Sequence, residues 1–211
     1  MNSTYRRATG LHASVQVHGI TWNDLYDAQT VVDAGPDSAQ RVFAIPDSLY
    51  ASAERIFFVD LTLTDASGRV LSRNFYWVPG TLTTFDWPKT WYTYTPAERY
   101  EDLNMLTHLP PATVTAHAGI ANTSRGRELR LQLKNNSAML AFQLHAAVRT
   151  PAGGLIAPVI WSDNWIELVP GESATLTALL PKDADRTPIV QLDGWNVPSE
   201  TIAPGILAAA P

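Results

Sequence analysis

Short segments in which apolar and polar residues alternate are the sequence feature that most constrains how this chain can fold. In residues 11–18 every second position is apolar, namely Leu11, Ala13, Val15 and Val17. Successive side chains of a β-strand point to opposite faces of a sheet, so this pattern predicts a strand with one buried face. Similar segments recur on both sides of the middle of the chain. The sequence therefore predicts an all-β fold.

The first part of the chain, residues 1–84, predicts short antiparallel strands and no helix. After the strand at 11–18, strand-like stretches occur at 26–35, 41–45 and 54–65. The turn residues Asp65, Ala66, Ser67 and Gly68 then connect to RVLSRNFYWVPG, which is typical of a β-hairpin. We expect these strands to form one β domain.

The second part, residues 112–203, carries a denser set of the same signals. Its strand patterns include Val114, Ala116, Ala118 and Ile120, then Leu129, Leu131 and Leu133, then Leu140, Phe142, Leu144, Ala146 and Val148. About seven short strands separated by turns predict an immunoglobulin-like β-sandwich. The tail, residues 204–211, is expected to be loose or to lie on the surface.

An aromatic stretch, residues 85–111, connects the two parts and predicts a bridge with one short helix. Thr95 is a candidate N-cap, Pro96 suits the first helical position, and Glu98 follows the cap by three residues. Tyr100, Leu103 and Leu106 recur every third residue as an apolar stripe. Pro110 and Pro111 would end the helix.

The composition is that of a folded domain with few charges. Hydrophobic residues make up 45%, charged residues 17%, and the net charge is −5. Nucleic-acid binders usually carry a basic patch, so we expect no nucleic-acid partner. No apolar run reaches the length of a transmembrane helix, so we expect no membrane partner either.

Several kinds of reactive site find no support in the residues. The chain has no cysteine, which excludes disulfides and thiolate metal sites. The five histidines have no metal-binding spacing, and there is no nucleophile elbow or phosphate-binding glycine loop. We therefore expect no metal and no cofactor.

Two motifs in the second part, VIWSDNWIELVPGES (159–173) and VQLDGWNVP (190–198), carry a family resemblance. Together with SRNFYW (72–77), WYTYTPAERYEDL (91–103) and LPPATV (109–114), they follow one order along the chain. This region resembles the C-terminal immunoglobulin-like domain of glycoside hydrolase family 2 exo-β-D-glucosaminidases, relatives of the β-mannosidases. Residues 1–84 resemble the preceding domain of the same enzymes, which implies a first immunoglobulin-like β-sandwich. Residues 2–19 resemble its second strand region, so its first strand would lie upstream.

The resemblance implies a non-catalytic role for this chain. In that family, the two catalytic carboxylates of a retaining glycoside hydrolase belong to a (β/α)₈ barrel, which this sequence lacks. The expected function is support of that barrel, the implied partner, in the hydrolysis of chitosan oligosaccharides. The polymeric substrate implies an extracellular or periplasmic parent enzyme. A missing first strand would leave a sheet edge open, which predicts a homodimer.

The loop SDNW (162–165) supplies the first candidate sugar site. Trp161 or Trp165 would stack on a sugar ring, while Asp163 and Asn164 would bind its hydroxyls or an amine. In the alternative interpretation, which these residue types favour, Asp163 and Asn164 form a turn and the tryptophans lie in the core. Asp163 and Glu167 are the nearest candidate pair for catalysis, but acids in such loops more often bind the backbone.

The aromatic bridge supplies the second candidate site. Trp91 and Tyr92, with Trp87 and Tyr94, could form a platform for a glucosamine-containing glycan. They could instead pack against a neighbouring domain, and exposed aromatic patches generally mark partner sites. Packing is the interpretation that this rule favours.

Overall fold

The computed structural model of the chain describes residues 1–50, 56–184 and 187–206. The chain divides into two compact units, residues 1–106 and 107–211, called unit 1 and unit 2 below. Strands are the main element of both units, so the all-β prediction is confirmed.

Unit 1 is built on one four-stranded antiparallel sheet. Its strands are β1 (Ala8–His18), β2 (Asp24–Ala34), β3 (Ile56–Thr64) and β4 (Val70–Pro79), and they lie in the order β2-β1-β3-β4. The predicted hairpin joins β3 to β4. In the turn of this hairpin, the N–H of Gly68 donates to the carbonyl of Asp65, and Gly68 has a φ of +85° that favours glycine.

One face of this sheet holds the core of unit 1. Val15, Val17, Phe57 and Val59 are almost completely buried there, as the alternating pattern predicts. Phe43, Ile45 and Leu49, from the segment between β2 and β3, pack against them.

Two predictions for that covering segment are wrong. Residues 41–45 form no strand, and a short helix, α1 (Asp47–Tyr50), exists where none was expected. The apolar side chains of 41–45 cover the face of the sheet instead of extending its edge. The pattern of burial therefore resembles that of a strand without the backbone pairing.

The aromatic bridge contains a small β-ribbon instead of the predicted helix. Here β5 (Thr84–Phe85) pairs with β6 (Ala97–Arg99), and the N–H of Asp86 donates to the carbonyl of Pro96 at 2.9 Å. The regions around the ribbon contain only two short 3₁₀ helices, Trp87–Lys89 and Asn104–His108.

The helix prediction is wrong because its signals were local. A helix this short is marginal unless its apolar face is buried. Tyr100 is 70% exposed, and of the predicted stripe only Leu106 is buried. Cross-strand pairing satisfies the backbone here instead.

Unit 2 contains two facing sheets. Its strands are β7 (Val114–Thr123), β8 (Gly126–Asn135), β9 (Ala141–Arg149), β10 (Ile160–Trp161), β11 (Ile166–Leu168), β12 (Ser173–Leu179), β13 (Ile189–Asp193), β14 (Glu200–Ile202) and β15 (Gly205–Ile206). One sheet has the order β10-β12-β8-β7-β15 and the other has the order β11-β9-β13-β14.

A single apolar core joins the two sheets. Leu129, Leu131 and Leu133 of β8 lie in the same buried cluster as Leu144, Ala146 and Val148 of β9. Two sheets with one shared core form a β-sandwich, as the sequence predicted for this part of the chain.

The end of the described chain is held by the first sheet. Gly205 and Ile206 pair with Gly119 and Ile120 as a parallel strand, so these two tail residues are not loose. Ile206 is 97% exposed and does lie on the surface. Residues 207–211 of the predicted tail lie outside the described residues.

Candidate functional site

The SDNW loop is tied to the sandwich by the side chain of Asn164. Its amide nitrogen donates to the carbonyl of Ala146, and its amide oxygen accepts from the N–H of Ala146, both at 2.9 Å. Asp163 accepts from the N–H of Asn164 at 2.8 Å. These contacts occupy the hydrogen-bonding groups of Asn164 and leave Asp163 exposed in a turn.

Trp161, the first aromatic residue of this candidate site, lies partly in the core. It belongs to β10, pairs with Ala178 of β12 and packs against the buried cluster. Its indole therefore contributes to packing between the sheets.

Trp165 is placed differently, because its ring lies on the outside of the sandwich. Its backbone has a φ of +58°, and its side chain is 52% exposed. The indole stacks on the imidazole of His145, with ring centroids 4.3 Å apart and planes 19° apart. The residue after Asn164 is thus turned away from the core and onto the outer face of the second sheet.

His145 connects this ring to an acidic residue on the neighbouring strand. It lies on β9 opposite Asp193 of β13, and its Nδ1 is 3.4 Å from Asp193 Oδ1. Trp165, His145 and Asp193 come from three separate segments. Sequence reasoning identified the first and missed the other two.

A bulge in β9 brings a second tryptophan to this face. Ala141 and Leu144 belong to the core, but Gln143 has a φ of +52° and the register with β11 shifts beside it. Phe142 lies outside the buried cluster that holds Ala141 and Leu144, although it is itself only 1% exposed. Its ring meets that of Trp195 edge-on at 5.7 Å, and Trp195 is 53% exposed.

The candidate catalytic acids have separate partners. Glu167 accepts a hydrogen bond from Gln143 Nε2 at 2.6 Å, whereas Asp163 caps its own turn. These contacts are those of structural carboxylates. Among the described residues, no group of three or more His, Asp or Glu side chains is arranged to hold a metal ion.

The bridge aromatics in unit 1 are mostly in solvent. Trp87 is 68%, Trp91 76%, Tyr92 96% and Tyr94 60% exposed. The main chains of Trp91 and Tyr94 exchange hydrogen bonds of 2.8 and 3.1 Å, which closes a tight turn. The hydroxyl of Tyr94 is hydrogen-bonded to the side chain of Tyr100, which raises the pKa of Tyr94. We call the exposed set Phe85, Trp87, Trp91, Tyr92, Tyr94 and Tyr100 the bridge patch.

Comparison with known proteins identifies the family. Residues 91–197 match the model of the exo-beta-D-glucosaminidase Ig-fold domain. The chain belongs to this family. Residues 1–79 match a second model, the mannosidase Ig/CBM-like domain, so the exo-beta-D-glucosaminidase Ig-fold domain follows another domain of immunoglobulin type.

Curated relatives of this Ig-fold chain are much longer enzymes. An exo-beta-D-glucosaminidase of Amycolatopsis orientalis is 30% identical over 209 residues, and one of Streptomyces avermitilis is 31% identical over 210. Each alignment covers 96% of this chain, but only 20% and 23% of the relatives.

A solved structure is similar in fold to this chain. The Amycolatopsis orientalis exo-chitosanase in complex with PNP-beta-D-glucosamine aligns with a TM-score of 0.81 and 29% identity. The alignment covers 96% of this chain and 24% of that one. The part of this chain that the structure describes contains no helix long and apolar enough to cross a bilayer.

Proposed function

We propose that this chain is a non-catalytic region that supports the catalytic barrel of an exo-β-D-glucosaminidase acting on chitosan oligosaccharides. The observation that carries the proposal is the bridge patch. Its aromatic side chains come from the ribbon strands and the segments beside them, and they are between 46% and 96% exposed. Contiguous exposed aromatic surface is typical of an interaction site, and Tyr and Trp are enriched in interfaces.

The relative lengths indicate what would cover the bridge patch. The chain spans about a fifth of the curated relatives it matches, which carry other regions besides this one. A retaining glycoside hydrolase holds two carboxylates about 5 Å apart on a rigid scaffold. We assign that pair to the catalytic barrel, and we assign the bridge patch to contact with the barrel. Since chitosan is a polymer, the parent enzyme would act in the extracellular space or the periplasm.

Capture of a catalytic fragment tests this role. The fragment is the Amycolatopsis orientalis relative without its matching segment, and binding to the purified chain is measured by biolayer interferometry. We expect Trp91→Ala with Tyr92→Ala to weaken capture strongly. Tyr5→Ala is the matched control, because Tyr5 is 92% exposed and lies outside the ribbon. Equal capture by both variants would refute the assignment of the patch.

An activity assay of the purified chain tests whether catalysis requires the barrel. We expect it to release no glucosamine from chitosan oligomers, because its candidate acids Asp163 and Glu167 serve structural contacts. Detectable release would show that catalysis does not depend on a separate barrel.

Carbohydrate binding is the second candidate function, and the placement of Trp165 favours it. Of the two tryptophans in the SDNW region, Trp165 alone presents a largely exposed ring. In this role, unit 2 holds chitosan or a related glycan near the active site of the parent enzyme.

We further propose that unit 1 can form a homodimer through a sheet edge. Both β2 and β4 lie at edges of the four-stranded sheet, and β4 exposes Val70 and Leu71. Long apolar edge strands favour pairing with another chain.

A further inference from the structure

We propose that the outer face of the β11-β9-β13-β14 sheet is a binding platform for a cationic oligosaccharide of glucosamine type. The platform consists of the rings of Trp165 and Trp195 and the carboxylate of Asp193. This inference rests on the glycan-binding role above and assigns a site to that role. The site includes Trp165 of the SDNW loop but not the loop's polar residues Asp163 and Asn164.

The first support is the orientation of the Trp165 ring. The indole lies nearly parallel to the imidazole of His145, so His145 covers one ring face. With 52% of the residue exposed, much of the remaining indole surface is accessible to solvent. A flat, open aromatic face is the surface on which the apolar face of a sugar stacks.

Unit 1 contains a similar pair that lacks this open face. Trp22 also has a positive φ, +62°, and stacks on His18 with centroids 4.1 Å apart. However, Trp22 also contacts the rings of Phe58 and Phe75. Trp22 is therefore a packing residue, and the contrast shows that a tryptophan stacked on histidine need not be exposed.

The second support is the position of Trp195. The main-chain N–H of Trp195 donates to the carbonyl of Phe142 at 3.0 Å, and the indole ring meets the Phe142 ring edge-on. Phe142 and His145 lie three residues apart on β9, which is roughly 10 Å or less along the strand. The two tryptophans thus contact residues of one strand that lie three positions apart, a spacing suited to a short oligosaccharide.

The third support is the carboxylate of Asp193 beside the stacked pair of His145 and Trp165. Asp193 lies opposite His145 and two residues before Trp195, and its side chain is 38% exposed. Glu167 adds a second carboxylate, oriented by Gln143. On β9 the next cation after His145 is Arg149, which donates to the carbonyl of Gly153. This acidic face favours a protonated amino sugar over a neutral one.

The platform is built on fixed backbone. Asn164 anchors the turn that carries Trp165, and Asn196 accepts from Phe142 N–H beside Trp195. Binding groups that are held in place before the ligand arrives lose little entropy on binding.

Titration of the full chain with glucosamine tetramer tests the platform, with calorimetry and tryptophan fluorescence as readouts. The variants are Trp165→Asn, Trp195→Ala and Asp193→Asn. Asparagine tolerates the positive φ of position 165, so it removes the ring without straining the turn. We expect each tryptophan variant to weaken binding several-fold to about tenfold.

The acetylated tetramer separates recognition of the amine from stacking. Asp193→Asn should weaken binding of the glucosamine tetramer but leave binding of N-acetylglucosamine tetramer unchanged. Tyr5→Ala, at an exposed aromatic residue outside both candidate sugar sites, is the control and should leave both affinities unchanged. Circular dichroism checks that each variant is folded. If Trp165→Asn is unfolded, the binding measured for Trp195→Ala tests the platform.

Three results would overturn the platform. They are no saturable binding at millimolar tetramer, equal binding by all variants, or a loss of binding in Tyr5→Ala as large as in the tryptophan variants. None of them bears on the capture experiment with the catalytic fragment. The supporting role can therefore stand or fail independently of this site.

Discussion

The side-chain amide of Asn164 forms a two-way hydrogen-bonded pair with the main chain of Ala146, with both bonds at 2.9 Å. Ala146 belongs to β9, whereas Asn164 lies in the loop between β10 and β11. The Asn164 side chain thus makes the two hydrogen bonds with Ala146 that a neighbouring strand would otherwise make. It also sets the position of Trp165, whose N–H donates to the same amide oxygen at 3.0 Å.

Asn164→Ala should destabilise the chain by about 2 kcal/mol, because it leaves the N–H and C=O of Ala146 without these partners. Urea unfolding, followed by tryptophan fluorescence, measures the change. Asn122→Ala, at an exposed position on β7, is the control and should change stability little. An equal loss in both variants would contradict the role assigned to Asn164.

Gly194→Ala should destabilise unit 2 by about 1–3 kcal/mol through overpacking. A Cβ at this position would lie 3.1 Å from Leu144 Cδ2, 3.1 Å from the Phe142 carbonyl oxygen and 3.3 Å from Val197 Cβ. Gly205→Ala is the matched control, because a Cβ there has no neighbour within 4 Å. Thermal unfolding of the two variants side by side measures the difference.

Arg73→Met should destabilise unit 1 by about 2 kcal/mol. Arg73 donates to both carboxylate oxygens of Asp60, at 3.0 and 2.7 Å, and Asp60 is only 8% exposed. The variant leaves that carboxylate buried and without this partner. The cost is reduced because the Arg73 side chain is 30% exposed.

The exposed pair of Arg69 and Asp65 provides the comparison for that experiment. Here the arginine side chain is 74% exposed, so Arg69→Met should change stability far less than Arg73→Met. Chemical unfolding of both variants at the same pH gives the two values. A larger loss for Arg69→Met would show that burial does not determine the effect.

The carboxyl of Asp65 should titrate near pH 2. The Ser67 hydroxyl is the main cause, and with the N–H groups of Arg69 and Ser67 it lowers the pKa of Asp65 from 3.8 to about 2. Since the folded pKa is depressed, the stabilisation is complete above about pH 3.8 and is lost as pH falls through about 2. A carbon-13 NMR titration checks this, and Ser67→Ala should move the midpoint upward.

Light scattering at rising protein concentration tests the sheet-edge homodimer. We expect the apparent mass to increase towards that of a dimer. Leu71→Lys should reduce association, because a charge on an edge strand opposes pairing. A single monomeric species at high concentration would contradict the dimer.

How far the sequence predicts the candidate sites depends on the range of the contacts involved. The exposed bridge aromatics and Trp165 stand out as residue types. Asp193 and Trp195 do not, because they reach Trp165 only through His145 and Phe142 on another strand. No pattern of nearby residues in the sequence predicts that β9 pairs with β13.

The sequence by itself determined most of the strands, the hairpin turn and the family. An alternating pattern and a turn are local properties, and buried positions such as Val15 and Val17 follow from them directly. Only the tertiary structure decided the conformation of Ala97–Arg99, the position of 41–45 and the contact of Phe142 with Trp195. In each case a pairing or packing contact with a distant segment outweighed the local preference. Such contacts form only when the chain has folded, so they leave no periodic signal in the sequence.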